Sequence, residues 1–307
     1  MLPIRIRTER GDTHDRPSSR TLTELLGRIG APGDRFLIVE RRTSDPEVFI
    51  QVWHEAGDSG ARSYQLEYRE GSADRHFQAY LSAPQEVGRV MTGWARQEKG
   101  WELGPAWERL DLPVEPEPPA LEDSVREQLE ERIRLVLRCG YDGIPELIEH
   151  AEDYLVKDGV RPVSGPQARV LVYRLWRERV AEQATWTGET DPDRLTRAFA
   201  ALDSGGITAR ENFTCCRNCG QGEIWEEREG DARGFVFFHT QCTESVAVGH
   251  DLHLYYGAFD AGDEETVSVG REVVAALDAA GLRWAWDGSA GDAIRVTGTD
   301  WRKRLTG

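Results

Sequence analysis

The residues best suited to chemistry sit in one stretch, Phe213-Thr214-Cys215-Cys216-Arg217-Asn218-Cys219-Gly220. Cys216 and Cys219 form C-x-x-C followed by glycine, a spacing that lets two thiolates converge on one ion while the glycine relaxes the turn into a knuckle. Further along, His239 and Cys242 form H-x-x-C. Cys216, Cys219, His239 and Cys242 together offer four ligands of the types zinc prefers, in two close pairs, as a tetrahedral structural site requires. Cys215 is a spare that can substitute. The same residues allow other readings: a thiol redox pair whose thiolate is favoured at a helix start, Cys216 as nucleophile with His239 as its base, or small half-buried cysteines with no chemistry. His239 and Glu244 are also the types of an acid/base pair across a strand-to-helix turn. Against that, a glutamate in the first turn of a helix is favoured by the helix dipole alone.

The elements that must position these residues are legible from periodicity. Ile207 to Phe213, Phe235 to Phe238 and Leu252 to Ala258 read as strands, and Val267, Val273, Val274 and Leu277 mark a helix stopped at Gly281. Leu282 to Trp286 and Ile294 to Thr297 read as closing strands. Ahead of them the pattern is helical: Val125, Leu129, Ile133, Val136 and Leu137, then 144–156, then 166–183, then a helix opened by Asp191-Pro192. In the first third, a short helix carries Leu22, Leu25, Leu26 and Ile29. Four strand signals follow, at 36–39, 48–53, 64–69 and 76–81, separated by turn-rich pieces such as Gly57-Asp58-Ser59-Gly60. Pro84 opens another helix. The expected fold class is α+β, with an N-terminal antiparallel sheet and its packing helices, then a helical segment followed by a small α/β layer. The expected domains are a flexible arm (1–18), an antiparallel α+β module (19–112), a Pro/Glu linker (113–123) and a helical plus α/β domain (124–307).

Composition narrows the function classes. The chain has 307 residues, 39% hydrophobic, with a formal net charge of −16. That charge repels phosphate backbones and anionic lipid heads, so neither nucleic acid nor membrane is expected as a partner. No run approaches the roughly 18 apolar residues of a membrane span. No apolar stretch follows the N-terminal arginines, so no signal peptide is expected. Five cysteines make no disulfide framework, and the expected location is cytoplasmic. Of 38 Lys and Arg, only Lys99, Lys157 and Lys303 are lysine, which leaves a P-loop or Schiff-base lysine little room. Gly288-Ser289-Ala290-Gly291 lacks the first glycine of a nucleophile elbow.

From about Leu121 to Leu305 the chain resembles an uncharacterised actinobacterial family built on a domain of unknown function. The resemblance rests on Ala184-Thr185-Trp186, Asp191 to Phe199, Asn212 to Cys216 with Cys219-Gly220, Phe238-His239-Thr240-Gln241, Leu254-Tyr255-Tyr256-Gly257 and Asp300-Trp301-Arg302. In that family the place of Cys242 is usually held by Asp, and this departure weakens Cys242 as an obligate ligand. The resemblance points instead to His239, Gln241 and Glu244 as a polar group. It implies no activity. Residues 21–112 resemble small secretion-chaperone-like modules, through Asp34-Arg35-Phe36, Val48 to Val52, Glu67-Tyr68-Arg69, Arg75-His76-Phe77 and Trp94. That resemblance implies a protein-binding role, with His76 and Tyr80 on the outer face of the sheet. The expectation is a non-enzymatic protein-binding protein with a structural zinc site. The alternative is an enzyme using His239, Glu244 and a nearby cysteine.

Overall fold

The computed structural model describes the chain except residues 42–44, 55–62, 114–115, 260–261 and 306–307. The expected turn at Gly57 to Gly60 lies outside the described residues. Two compact units emerge. The first comprises Met1–Leu121 and Gly159–Val180, the second Glu122–Asp158 and Ala181–Leu305.

The first unit is built on a seven-stranded antiparallel sheet in the order β2-β1-β3-β4-β5-β6-β7. Its strands are β1 (Ile4–Thr8), β2 (Thr13–Asp15), β3 (Phe36–Arg41), β4 (Val48–Trp53), β5 (Tyr64–Glu70), β6 (His76–Leu81) and β7 (Glu108–Arg109). Alternation puts Ile4, Ile6, Leu37, Val39, Ile50, Val52 and Leu66 on one face, all fully buried. They pack with α1 (Ser19–Leu26) and α2 (Pro84–Ala95), whose Leu22, Leu25, Val87, Val90, Met91 and Trp94 complete the core. Ser18 caps α1 by accepting from the Thr21 amide at 3.0 Å.

Two expectations fail here. Residues 1–18 are not an arm, because β1 and β2 are strands of the sheet. Ile4 and Ile6 enter the core, while Arg5 and Arg7 turn outward to pair with Asp15 at 2.9 Å and Glu40 at 2.6 Å. The arginines hid a period-two pattern. His76 is not a surface residue either, being only 4% exposed. Its ring accepts from Arg69 at 3.1 Å, lies 3.2 Å from a Glu67 oxygen and meets the Phe49 ring edge-on. Tyr80 does face outward, 58% exposed. In register with it across Gln65 stands Trp53, 42% exposed.

The described residues of 111–122 form neither helix nor strand. The second unit opens with α3 (Asp123–Cys139) and α4 (Ile144–Asp153). Gly140 ends α3 in the left-handed region, φ +82°. The next helix, α5 (Gly165–Gln183), belongs to the first unit through Val180, and its Arg177 grips Asp45 at 2.6 Å.

The second unit continues with α6 (Asp191–Ser204). Thr190 caps it, accepting from the Asp193 amide, with Pro192 preset in the first turn. Then come β8 (Ile207–Arg210), α7 (Arg217–Glu223), β9 (Gly234–Phe237), α8 (Thr240–Ala247), β10 (Leu252–Ala258), α9 (Asp263–Ala279), β11 (Trp284–Ala285) and β12 (Ile294–Val296). The five strands form one mixed sheet in the order β11-β12-β10-β9-β8. β8 and β9 run parallel and the other neighbours are antiparallel. One face, carrying Val236, Leu252, Leu254, Ile294 and Val296, packs with α6 and α9 in a continuous apolar core. The other face carries Phe235, Phe237, His253 and Tyr255, and α7 lies against it at Phe237.

Candidate metal centre

Leaving β8, the chain turns twice through the left-handed region, at Asn212 (φ +49°) and Thr214 (φ +59°). For a β-branched threonine this conformation costs about 1–3 kcal/mol and persists only where neighbours enforce it. They do. The Phe213 amide donates to the Phe238 carbonyl at 2.8 Å, and the Thr214 carbonyl accepts from the Thr240 amide at 3.1 Å and its hydroxyl at 2.9 Å. Thr243 donates to the Asn212 side chain at 2.7 Å. The loop before the cysteines is thereby fastened to the first turn of α8.

This fastening delivers Cys215, Cys216 and Cys219 to one place. Cys216 caps α7, and Cys219 lies in its first turn. The three sulfur atoms all lie within 4.8 Å of one another, and Cys215 Sγ is 3.6 Å from Cys219 Sγ. Tetrahedral zinc thiolates, with Zn–S of about 2.3 Å, put neighbouring sulfurs about 3.8 Å apart. The Cys215–Cys219 separation is close to that spacing, and all three sulfurs lie near enough to hold one ion. Cys215 is exposed and the other two are half-buried, so the cluster opens to solvent. The Cys219 amide and the neighbouring Cys219 and Cys215 thiols hold the Cys216 thiol below its usual range. The Cys215 and Cys216 sulfurs push Cys219 up to about 11.

The expected set of ligands is corrected by this geometry. Cys215, taken as a spare, is a full member. Among the described residues His239 and Cys242 do not join the group. They make a pair of their own, with His239 Nε2 3.3 Å from Cys242 Sγ. His239 does stand at the strand-to-helix junction, as the residue before α8. Its ring stacks on Tyr255, 5.4 Å between centroids and 10° from parallel. Burial, with the Arg217 charge nearby, keeps the His239 ring below its usual pKa. Cys242 sits on the inward side of α8 within the apolar core, and burial pushes its thiol up. Gly220 also has a different job from the one expected. It lies within α7, where a Cβ would overlap the Phe237 ring. Its role is close approach of helix to sheet, not a knuckle turn.

The acid/base candidates do not form a unit. Glu244 is held by Arg132 at 2.7 Å, and Gln241 is exposed. No hydrogen bond among the described residues links His239 to Glu244. Cys139 is buried in α3, its thiol pushed up to about 12 chiefly by burial, which leaves it inert. Lys303 is also accounted for: its Nζ is 2.9 Å from Glu211, which accepts from Tyr141 at 2.6 Å. Sequence reasoning missed Arg217, which lies over the Tyr255 ring at 4.8 Å. Its position directly after Cys216 was the available signal.

Among the described residues, no helix is long and apolar enough to cross a membrane. Neither a curated protein nor a solved structure matches the chain. A family model does, over residues 122–305, a span that holds the whole cysteine cluster and the sheet beneath it. On that match the chain belongs to the family described as domain of unknown function DUF6891.

Proposed function

We propose that the second unit binds a thiophilic metal ion, zinc first, through Cys215, Cys216 and Cys219. The observation that carries this reading is the mutual approach of three sulfurs within 4.8 Å, one pair of them, Cys215 and Cys219, at 3.6 Å, close to a tetrahedral edge. Soft thiolates select zinc or monovalent copper over hard cations. Three protein ligands leave a fourth position, and the exposure of Cys215 turns that position toward solvent. Such a site exchanges its ion and its fourth ligand more readily than a closed four-residue site. The reading includes a reducing, cytoplasmic setting, because oxidised thiols bind no metal. Metal analysis of the full chain, purified without added zinc and then titrated with cobalt, tests it. The expected result is one equivalent and a thiolate-to-cobalt charge-transfer band, both lost in Cys216→Ser. Sub-stoichiometric metal and no such band would overturn it.

A second reading concerns the first unit. The exposed Trp53 and Tyr80, aligned across Gln65 on one face of the sheet, favour contact with a protein partner. Aromatic side chains of this kind anchor protein interfaces. The test is recovery of a stable partner by the full chain, with loss of that partner in the Trp53→Ala, Tyr80→Ala double variant. A partner retained by this variant would refute the assignment.

A further inference from the structure

The outer face of the second sheet is covered unevenly. Helix α7 is only seven residues long and lies against Phe237 of β9. On β10 the His239 ring stacks on Tyr255, while His253 and Arg295 line an open space beside it. The result is a cavity of ≈ 640 Å³. Its floor is the cross-strand pair His253 and Arg295, with Tyr255 two positions along β10. One wall is Arg217 at the start of α7. The opposite wall is the loop after β11, with Trp286, Asp287 and Asp292. That wall is anchored: the Trp286 indole N–H reaches the Tyr256 hydroxyl at 2.9 Å, which itself donates to the Ser289 carbonyl at 2.6 Å. Gly270 of α9 makes room for the indole, since a Cβ there would strike it. The volume falls in the range of preformed small-molecule sites.

The charges in this cavity are segregated, with arginines at one end and aspartates at the other. In a chain that carries −16, two arginines and a histidine converge at one end of it. Arg295 spends one nitrogen on Asp251, at 3.2 Å. Arg217 has no carboxylate partner among the described residues. Its guanidinium carbon sits 4.8 Å from the Tyr255 ring centroid, a cation–π contact that does not consume its fork of N–H donors. Such a fork suits a phosphate or carboxylate bidentately. Across the cavity Asp287 and Asp292 offer acceptors, and the Ser289 amide fixes Asp287 at 2.9 Å. Carboxylates at that end favour hydroxyl donors and disfavour a second anionic group.

We propose that this cavity binds a phosphorylated sugar, with the phosphate on Arg217, His253 and Arg295 and the hydroxyls on Asp287 and Asp292. The chemistry is shared by a free sugar phosphate and by a mononucleotide, and the volume admits either. The proposal does not depend on the metal site. Isothermal titration of the full chain with ribose 5-phosphate, a nucleoside monophosphate, inorganic phosphate and ribose tests it. Saturable binding of one or both phosphorylated sugars is expected, at least tenfold tighter than inorganic phosphate or ribose. Preference between the two assigns the source. Arg217→Met should weaken binding at least tenfold, and Asp292→Asn should remove the advantage over inorganic phosphate. Arg197→Met, an exposed arginine paired with Glu189, should leave it unchanged. The proposal is overturned if neither phosphorylated sugar saturates, if inorganic phosphate binds as tightly, or if folded Arg217→Met binds like the parent.

Discussion

Gly220→Ala separates this structure from a generic helical reading of the C-x-x-C-G motif. In an exposed helix the change stabilises by about 1 kcal/mol, because alanine is the better helix former. Here the new methyl group would lie inside the contact distance of the Phe237 ring. That ring is fully buried on β9 and is fenced by Phe213, Phe235 and Tyr255, at 5.9, 6.1 and 5.7 Å between centroids. It has no free space to retreat into, so the overpacking penalty falls in the upper part of its usual range of about 1–3 kcal/mol. The net loss is about 1–2 kcal/mol, or roughly 3–6 °C in the melting temperature of a unit this size. Scanning calorimetry of the full chain measures it. The partner variant Phe237→Leu removes the ring atoms that clash. In that background Gly220→Ala should cost about 1 kcal/mol less, and the double-mutant cycle isolates this coupling. A Gly220→Ala protein that melts at or above the parent temperature refutes the helix-on-ring contact, as does an equal penalty in both backgrounds. Because Cys219 precedes Gly220, the same variant should also loosen metal binding.

Three further outcomes are expected. Ile6→Ala should destabilise the first unit by about 2–4 kcal/mol, since Ile6 is fully buried in β1; a frayed arm would show no change, and urea unfolding distinguishes the two. Glu67 is held below its ordinary value of 4.5, first by the His76 ring and further by Gln51 and Gln65, against the opposing effect of burial. A carboxylate depressed on folding stabilises fully above that ordinary value and loses its contribution as pH falls through the lowered one, so Glu67→Gln should flatten the acid limb of the stability profile. Metal affinity should rise with pH through the alkaline range, because Cys219, pushed up to about 11, must shed a proton to bind; pH-independent affinity in a competition assay would count against thiolate ligation.

Periodicity exposed most of the second unit because its elements follow single rules. Leu252 to Ala258 reads as a strand and is β10 end to end. Asp191-Pro192 begins α6 as expected, but the cap is the Thr190 hydroxyl one residue earlier and not the Asp191 carboxylate. β1 escaped because its outward positions are arginines, which read as a charged tail until Asp15 and Glu40 are seen opposite them. His76 looked solvent-facing because alternation specifies which side of a sheet a residue takes, not what later covers that side. The cysteine cluster was half legible. The spacing of Cys216 and Cys219 announced convergence, whereas the inclusion of Cys215 depends on the left-handed turn at Thr214. The exclusion of His239 depends on its stacking with Tyr255, a contact between segments that no local pattern records.

The membership of α5 carries a consequence for how such a chain is cut and made. The family match runs from residue 122 to 305, yet the helical stretch through Val180 inside it belongs to the unit that precedes it. A fragment ended at the proline-rich stretch would leave the first unit without one of its own helices, and one begun there would carry that helix away from its unit. On the ribosome, the first unit stays unfinished until residues 122–158 of the second unit, and then its own 159–180, have been synthesised. What is inherited as one block is thus not what folds as one block.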